Sequence, residues 1–262
     1  MNRDKLEGLI WGSFLGDAYN NNYHLSLYGK QSLWLLEYTT KSRRYDPFLF
    51  GDIWKTAMSQ EQTIDKASKD TLANLKSGRT YLGAGSGAKE LSVVGRHASI
   101  LFRLKGMDEM LESIKFHTCL THMTKETIEA SKYIAEVTLA MIYNLDVNNT
   151  LQERAKFYGE VIENEVEKAF SLKDKPDAIA LKMLGTENQI EGGLASTIYL
   201  ILNYHKNFEK LLEVNSEAGG ATSERAMIAG VIIGARYGFK AIKPSWIEEI
   251  NEYEKLNNLI SL

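Results

Sequence analysis

Apolar residues recur along this chain at helical spacing. In residues 6–14, Leu6, Leu9, Ile10 and Phe14 fall at i, i+3, i+4 and i+8 and form one stripe. Thr124 predicts the N-cap of a helix running to about Tyr143. Ile128, Ala135, Leu139 and Ile142 mark its inner face, and Glu126 and Glu129 suit its first turns. Residues 151–170 read as one charged helix, with Ala155, Tyr158, Val161, Ile162, Val166 and Phe170 along one side. Residues 177–184, 194–204 and 208–214 predict further helices. No stretch sustains a two-residue alternation beside an Asn-Gly or Asp-Gly hairpin dipeptide. Loops are expected at 20–22, 43–47, 78–87, 144–150, 171–176 and 185–193. The three prolines, Pro47, Pro176 and Pro244, each fall near a predicted junction, so none breaks a long helix.

One pattern repeats within the chain. Gly8, Gly12 and Gly16 are spaced by four, and so are Gly230, Gly234 and Gly238, with Ala226 one step earlier. Such spacing aligns each set on one side of a helix. A glycine inside a helix costs about 1 kcal/mol relative to alanine, so close approach of another backbone is expected to offset it. The two glycine helices are expected to pack near one another, with a ligand cleft where they end.

The balance of charge narrows the class. With 31 basic and 34 acidic residues the net charge is −3, and no Lys/Arg run exceeds a pair, which argues against a basic nucleic-acid module. Hydrophobic residues at 44% and charged residues at 25% exclude a disordered chain. A lone cysteine, Cys119, permits no internal disulfide and no cysteine-based zinc site. No apolar run approaches the ~18 residues of a membrane span. One domain over residues 1–262, in a reducing cytoplasmic setting, is the expectation.

The ends of the glycine helices carry more specific residues. The first closes on Gly16-Asp17-Ala18. The second is preceded by Gly219-Gly220-Ala221-Thr222-Ser223-Glu224 and followed by Lys243-Pro244-Ser245-Trp246. Between them lie the glycine-rich Gly83-Ala84-Gly85-Ser86-Gly87-Ala88 and the pair Thr121-His122. In order and spacing this resembles the ADP-ribosylglycohydrolase family, which includes the dinitrogenase-reductase-activating glycohydrolases, over nearly the whole chain. The resemblance implies an all-α fold, an orthogonal helical domain. It also implies cleavage of the glycosidic bond joining ADP-ribose to a side chain or small acceptor. Members use two magnesium ions held by carboxylates and hydroxyls from two motifs, as suits hard cations.

The matching ligands are missing. Where the family has Thr-Asp-Asp-Thr, the stretch in place is Tyr28-Gly29-Lys30-Gln31-Ser32, with no carboxylate. Where it has Asp-x-Asp-Thr, this chain has Ala221, Thr222, Ser223 and Glu224. Where the glycine loop commonly ends in arginine, Lys89-Glu90-Leu91 stands. A magnesium pair is therefore not expected, and no cofactor follows from these residues. Lys30 could fill part of the space and charge of the metals by pairing with Glu224 or Asp17, or it could be a solvated side chain. Asp17 is the one candidate catalytic residue. Asp17, Lys30, Gly85, Ser86, Gly87, Thr222, Ser223 and Glu224 are the candidate ligand-binding residues.

Other polar groups carry less. His117 and His122 are five apart, off the helical pair spacing of a zinc site. Cys119 lacks any sign of activation and reads as a buried thiol. Glu187 and Glu191 could form an acid–base pair, but they fall in a predicted loop. The expectation is a degenerate, non-hydrolytic relative that binds ADP-ribose or a related nucleotide, or serves a structural or regulatory role. The alternative is a working hydrolase that uses Asp17 with displaced carboxylates such as Glu187, Glu217 or Glu224. Neither nucleic acid nor membrane is an expected partner.

Overall fold

The computed structural model describes residues 2–42 and 44–262. Helices dominate, and their starts are set by short polar side chains. After α1 (Arg3–Ala18) and a 3₁₀ turn at Tyr19–Asn21, Ser26 caps α2 (Leu27–Lys41) by accepting from the Tyr28 and Gly29 amides. Asp46 caps α3 (Pro47–Met58), with Pro47 at the first turn, where its missing N–H costs nothing. Asp65 caps α4 (Lys66–Lys76). Then come α5 (Ala98–Arg103), α6 (Met107–Thr121) and α7 (Lys125–Ile142), the last capped by Thr124 as the sequence predicts. The chain continues through α8 (Val147–Ala155), α9 (Gly159–Leu172), α10 (Asp177–Leu184), α11 (Ile190–Tyr204), α12 (Phe208–Ala218), α13 (Thr222–Tyr237), α14 (Pro244–Glu248) and α15 (Tyr253–Ser261). Among the described residues there is no strand. Two isolated bridges, Ser86 with His122 and Glu90 with Gln189, are the extended pairings.

Several boundaries differ from those read off the sequence. The single helix expected at 151–170 is two, because Gly159 adopts φ +80° and turns the chain between α8 and α9. The loop expected at 144–150 is half helix, since Asp146 caps α8 through the Asn149 amide. The loop expected to reach Gly193 ends at Gln189, and α11 is kinked at Glu191–Gly192, where Gly192 has φ +90°. The helix expected to stop at Val214 runs on to Ala218. Of the loop placed at 43–47, Arg43 lies outside the described residues and Pro47 opens α3.

The glycine pattern fixes the centre of the molecule. A Cβ at Gly8 would strike the Gly234 carbonyl, one at Gly12 the Gly230 carbonyl, and one at Gly16 the Ala226 carbonyl. The reverse holds at Gly230 and Gly234. These pairings run in opposite directions along the two chains, so α1 and α13 are antiparallel and touch backbone to backbone. The end of α1 thus meets the start of α13. Leu9, Ile10, Phe14, Ile228, Val231 and Ile232 surround this pair in one continuous apolar core. Lys5 adds a polar tie: its ammonium donates to the Met141 and Ile142 carbonyls, at 3.1 and 2.8 Å, at the C-terminus of α7. A cation suits that end of a helix dipole.

Candidate functional site

Where α1 ends, Asp17 is wholly buried. Its carboxylate accepts from the Ser26 amide at 2.8 Å, from the Ser26 hydroxyl and from the Gly29 amide. Ser26 therefore caps α2 and holds Asp17 at once. A Cβ at Gly29 would overlap the Asp17 carboxylate, so glycine is required for this approach. Burial pushes the Asp17 carboxyl up to about 7, against the pull of the Ser26 and Gly29 donors and with the help of the nearby Glu224 charge.

Glu224 stands in the first turn of α13 and is buried. Burial raises its carboxyl above the usual range, while its own amide, Arg225 and the Tyr28 hydroxyl oppose the rise. Ser223 donates to the Asp17 carbonyl at 3.0 Å, and the Thr222 carbonyl accepts from Asn215 at 2.8 Å. Behind them, fully buried Arg225 donates to Asn215 Oδ1 at 2.8 Å, to the Gly219 carbonyl at 2.6 Å and to the Thr186 carbonyl. Burial pulls this guanidinium down to about 10, with Glu224 and Glu187 acting to restore it. Arg225 thus ties the turn before α13 to the turn after α10.

Lys30 does not fill the role considered for it. Its ammonium pairs with Glu61 Oε2 at 2.7 Å, and its side chain remains 44% exposed. The reason is register: one helical turn after Ser26, position 30 points toward the end of α3 rather than toward Asp17. The glycine loop is also more tightly held than an open nest of amides. The Ser86 amide donates to the Thr121 carbonyl at 2.8 Å, and the Ser86 hydroxyl donates to Asp70 Oδ2 at 2.7 Å and accepts from the Ala88 amide. Gly85 packs under the Cys119 carbonyl and Met123, whereas Gly87 is exposed with open space around its Cα.

Other candidates separate. Of Glu187, Glu217 and Glu224, the last lies beside Asp17. Glu187 lines a hollow of about 410 Å³ with Lys89, Glu126 and Glu191, and Glu217 lines one of about 280 Å³ with Asp177 and Lys182. Cys119 is buried, and burial raises its thiol, which leaves it unreactive. His117 packs against Tyr45 and Phe50, and burial holds it well below the usual imidazole range.

The sequence reading passed over two buried arginines, Arg225 and Arg96. Arg96 is 2% exposed and donates to Gln31 and, at 2.6 Å, to Thr121 Oγ1. Gln31 Oε1 also accepts from Trp54 at 2.8 Å. Burial lowers the Arg96 guanidinium to about 10, and Asp65, Tyr28 and Tyr45 counteract it. A signal was present: Arg96 and His97 stand between the apolar pair Val93-Val94 and the apolar run Ile100-Leu101-Phe102, and a charge there is carried into the core by its neighbours.

The family model for ADP-ribosylglycohydrolase matches residues 1–262, so the chain belongs to the ADP-ribosylglycohydrolase family. A solved "ADP-ribosylglycohydrolase-related protein complex" shares the fold, with a TM-score of 0.81, 18% identity, and 98% of this chain and 96% of that chain covered. No curated protein matches the sequence.

Members of the family use a magnesium pair, and the residues here do not fit one. Hard cations need several free anionic oxygens. Both Asp17 oxygens are held by donors from Ser26, and the Ser223 hydroxyl is turned to a backbone carbonyl. Among the described residues no three His, Cys, Asp or Glu side chains converge to hold a metal ion.

Proposed function

We propose that this chain is a single non-hydrolytic domain of the ADP-ribosylglycohydrolase family that binds ADP-ribose or a related nucleotide. One observation carries the reading. Asp17, the carboxylate retained at the family position, is sealed beneath Ser26 and Gly29, and Glu224 is the acid beside it. A binuclear centre needs more charge than these two groups supply when burial drives both toward the neutral form. A cytoplasmic location, on the lone cysteine, and the lack of a nucleic-acid partner, on the slightly acidic charge balance, belong to the same reading. No helix among the described residues is long and apolar enough to cross a membrane.

A second reading draws support from the same carboxyls. Groups that hold a proton near neutrality are suited to general acid work, so Asp17 and Glu224 could serve a metal-free hydrolase. One experiment decides. The protein is incubated with ADP-ribosylated arginine, with and without magnesium, and released ADP-ribose is measured; binding of ADP-ribose is measured by calorimetry. The first reading expects saturable binding and no release above a protein-free control. Release without magnesium overturns it and favours the second; release only with magnesium overturns both.

A further inference from the structure

A chain of hydrogen-bonded groups runs from the buried Arg96 toward the site. Arg96 Nη2 lies 2.6 Å from Thr121 Oγ1, which lies 2.9 Å from His122 Nδ1. The other ring nitrogen, Nε2, is 3.2 Å from Ser92 Oγ and 3.7 Å from Glu90 Oε2. Arg96, Thr121, His122 and Ser92 are all buried, whereas the Glu90 side chain keeps 14% of its surface exposed. Glu90 is also near enough to Tyr28 and Glu224 to affect the ionisation of both.

A guanidinium has only donors. Thr121 Oγ1 therefore accepts from Arg96, and its own proton is available for His122 Nδ1. Burial, with the Arg96 charge, lowers the imidazole below its usual range against the opposing pull of Glu90 and Asp65, which favours the neutral ring. With Nδ1 accepting, the ring proton belongs on Nε2. The Ser92–His122 pair has the spacing of a nucleophile and its base, yet in that tautomer His122 presents a proton there instead of a lone pair. It cannot take the Ser92 proton.

We propose that His122 is a positioning residue: Arg96 and Thr121 lock its ring as an Nε2 donor toward Ser92, which leaves Ser92 unactivated, while Glu90, 3.7 Å from the same nitrogen, stays available at the mouth of the site as an acceptor. Glu90 then selects a ligand group that donates, such as the vicinal hydroxyls of a ribose, and repels a diphosphate placed at the same point. This ligand role rests on the binding reading above; the ring lock does not.

Two measurements test the two halves separately. In protein carrying ¹⁵N-labelled histidine, long-range ¹H–¹⁵N spectra report the tautomer of each ring, with His122 assigned from His122→Gln. The wild type is expected to show His122 protonated on Nε2. Thr121→Val, which removes the donor to Nδ1, is expected to shift the ring toward the other tautomer, and Thr121→Ser to keep the wild-type pattern. A wild-type His122 protonated on Nδ1 overturns the lock, and so does a Thr121→Val spectrum with the wild-type pattern. For Glu90, calorimetry compares ADP-ribose with ADP, which lacks the terminal ribose. Glu90→Gln is expected to weaken ADP-ribose about tenfold and to leave ADP unchanged. Equal effects on both, or no effect on ADP-ribose, overturn the Glu90 role. If neither nucleotide binds the wild type, the binding reading and the Glu90 role fall together, while the spectra still decide the lock.

Discussion

Asp17→Asn removes one buried charge and keeps the shape of the side chain. In an unfolded chain the Asp17 carboxyl titrates near 3.8, and in the fold burial raises it to about 7. Because the folded value is the higher one, the stability linked to this proton is fully present below the unfolded value. It is lost as pH rises through the folded value. The difference corresponds to about 4 kcal/mol in all, of which more than half disappears between about pH 5 and 8. Other carboxyls, such as Asp70 and Glu126, are held below their usual range by partners that include Lys66 and Lys89, and they act in the opposite sense. Urea denaturation of wild type and Asp17→Asn across this range isolates Asp17, because the background cancels in the difference. The wild type is expected to lose ground steadily to the variant as pH rises. A difference that stays constant with pH would refute the reasoning, since Asp17 would then be an ordinary ionised carboxylate despite its burial.

Gly230→Val forces a side chain into the Gly12 carbonyl and must part α1 from α13; a loss above about 3 kcal/mol, or failure to fold, is expected by thermal denaturation. Gly87→Ala meets open space and is expected to change stability by less than about 0.5 kcal/mol in the same assay. Arg225→Met removes a donor from Asn215 Oδ1 and from the Thr186 and Gly219 carbonyls, with an expected cost of about 3 kcal/mol and faster hydrogen exchange in residues 185–189 and 219–221. Lys30→Met breaks an exposed pair with Glu61 and is expected to cost less than about 1 kcal/mol by urea denaturation, which separates it from the buried arginine.

The parts of the fold legible in sequence were those with a local cause. Thr124 caps its helix through the Thr127 amide, and the four-residue glycine spacing foretold the α1–α13 contact because nothing but a neighbouring backbone fits there. The break between α8 and α9 was not legible, since the apolar side of residues 151–170 continues in phase while Gly159 alone turns the chain. In the site, the lack of carboxylates in residues 28–32 and of aspartates in residues 221–224 was plain from residue identity, as was Asp17 at the end of the first glycine helix. What replaced them was hidden, because it depends on residues far apart in the chain. Lys30 looked like a substitute cation by position, but helical register sends it to Glu61. Arg96 reaches Gln31 and Thr121, which lie 65 and 25 residues away in sequence.

The central claim is that the family's helical frame persists here without a cage for two hard cations. Titration with manganese, followed by the electron-spin signal of the free ion, tests it directly. The account predicts a free-ion signal that tracks the total throughout the millimolar range. Uptake of two ions per chain, lost on Asp17→Asn, would contradict it.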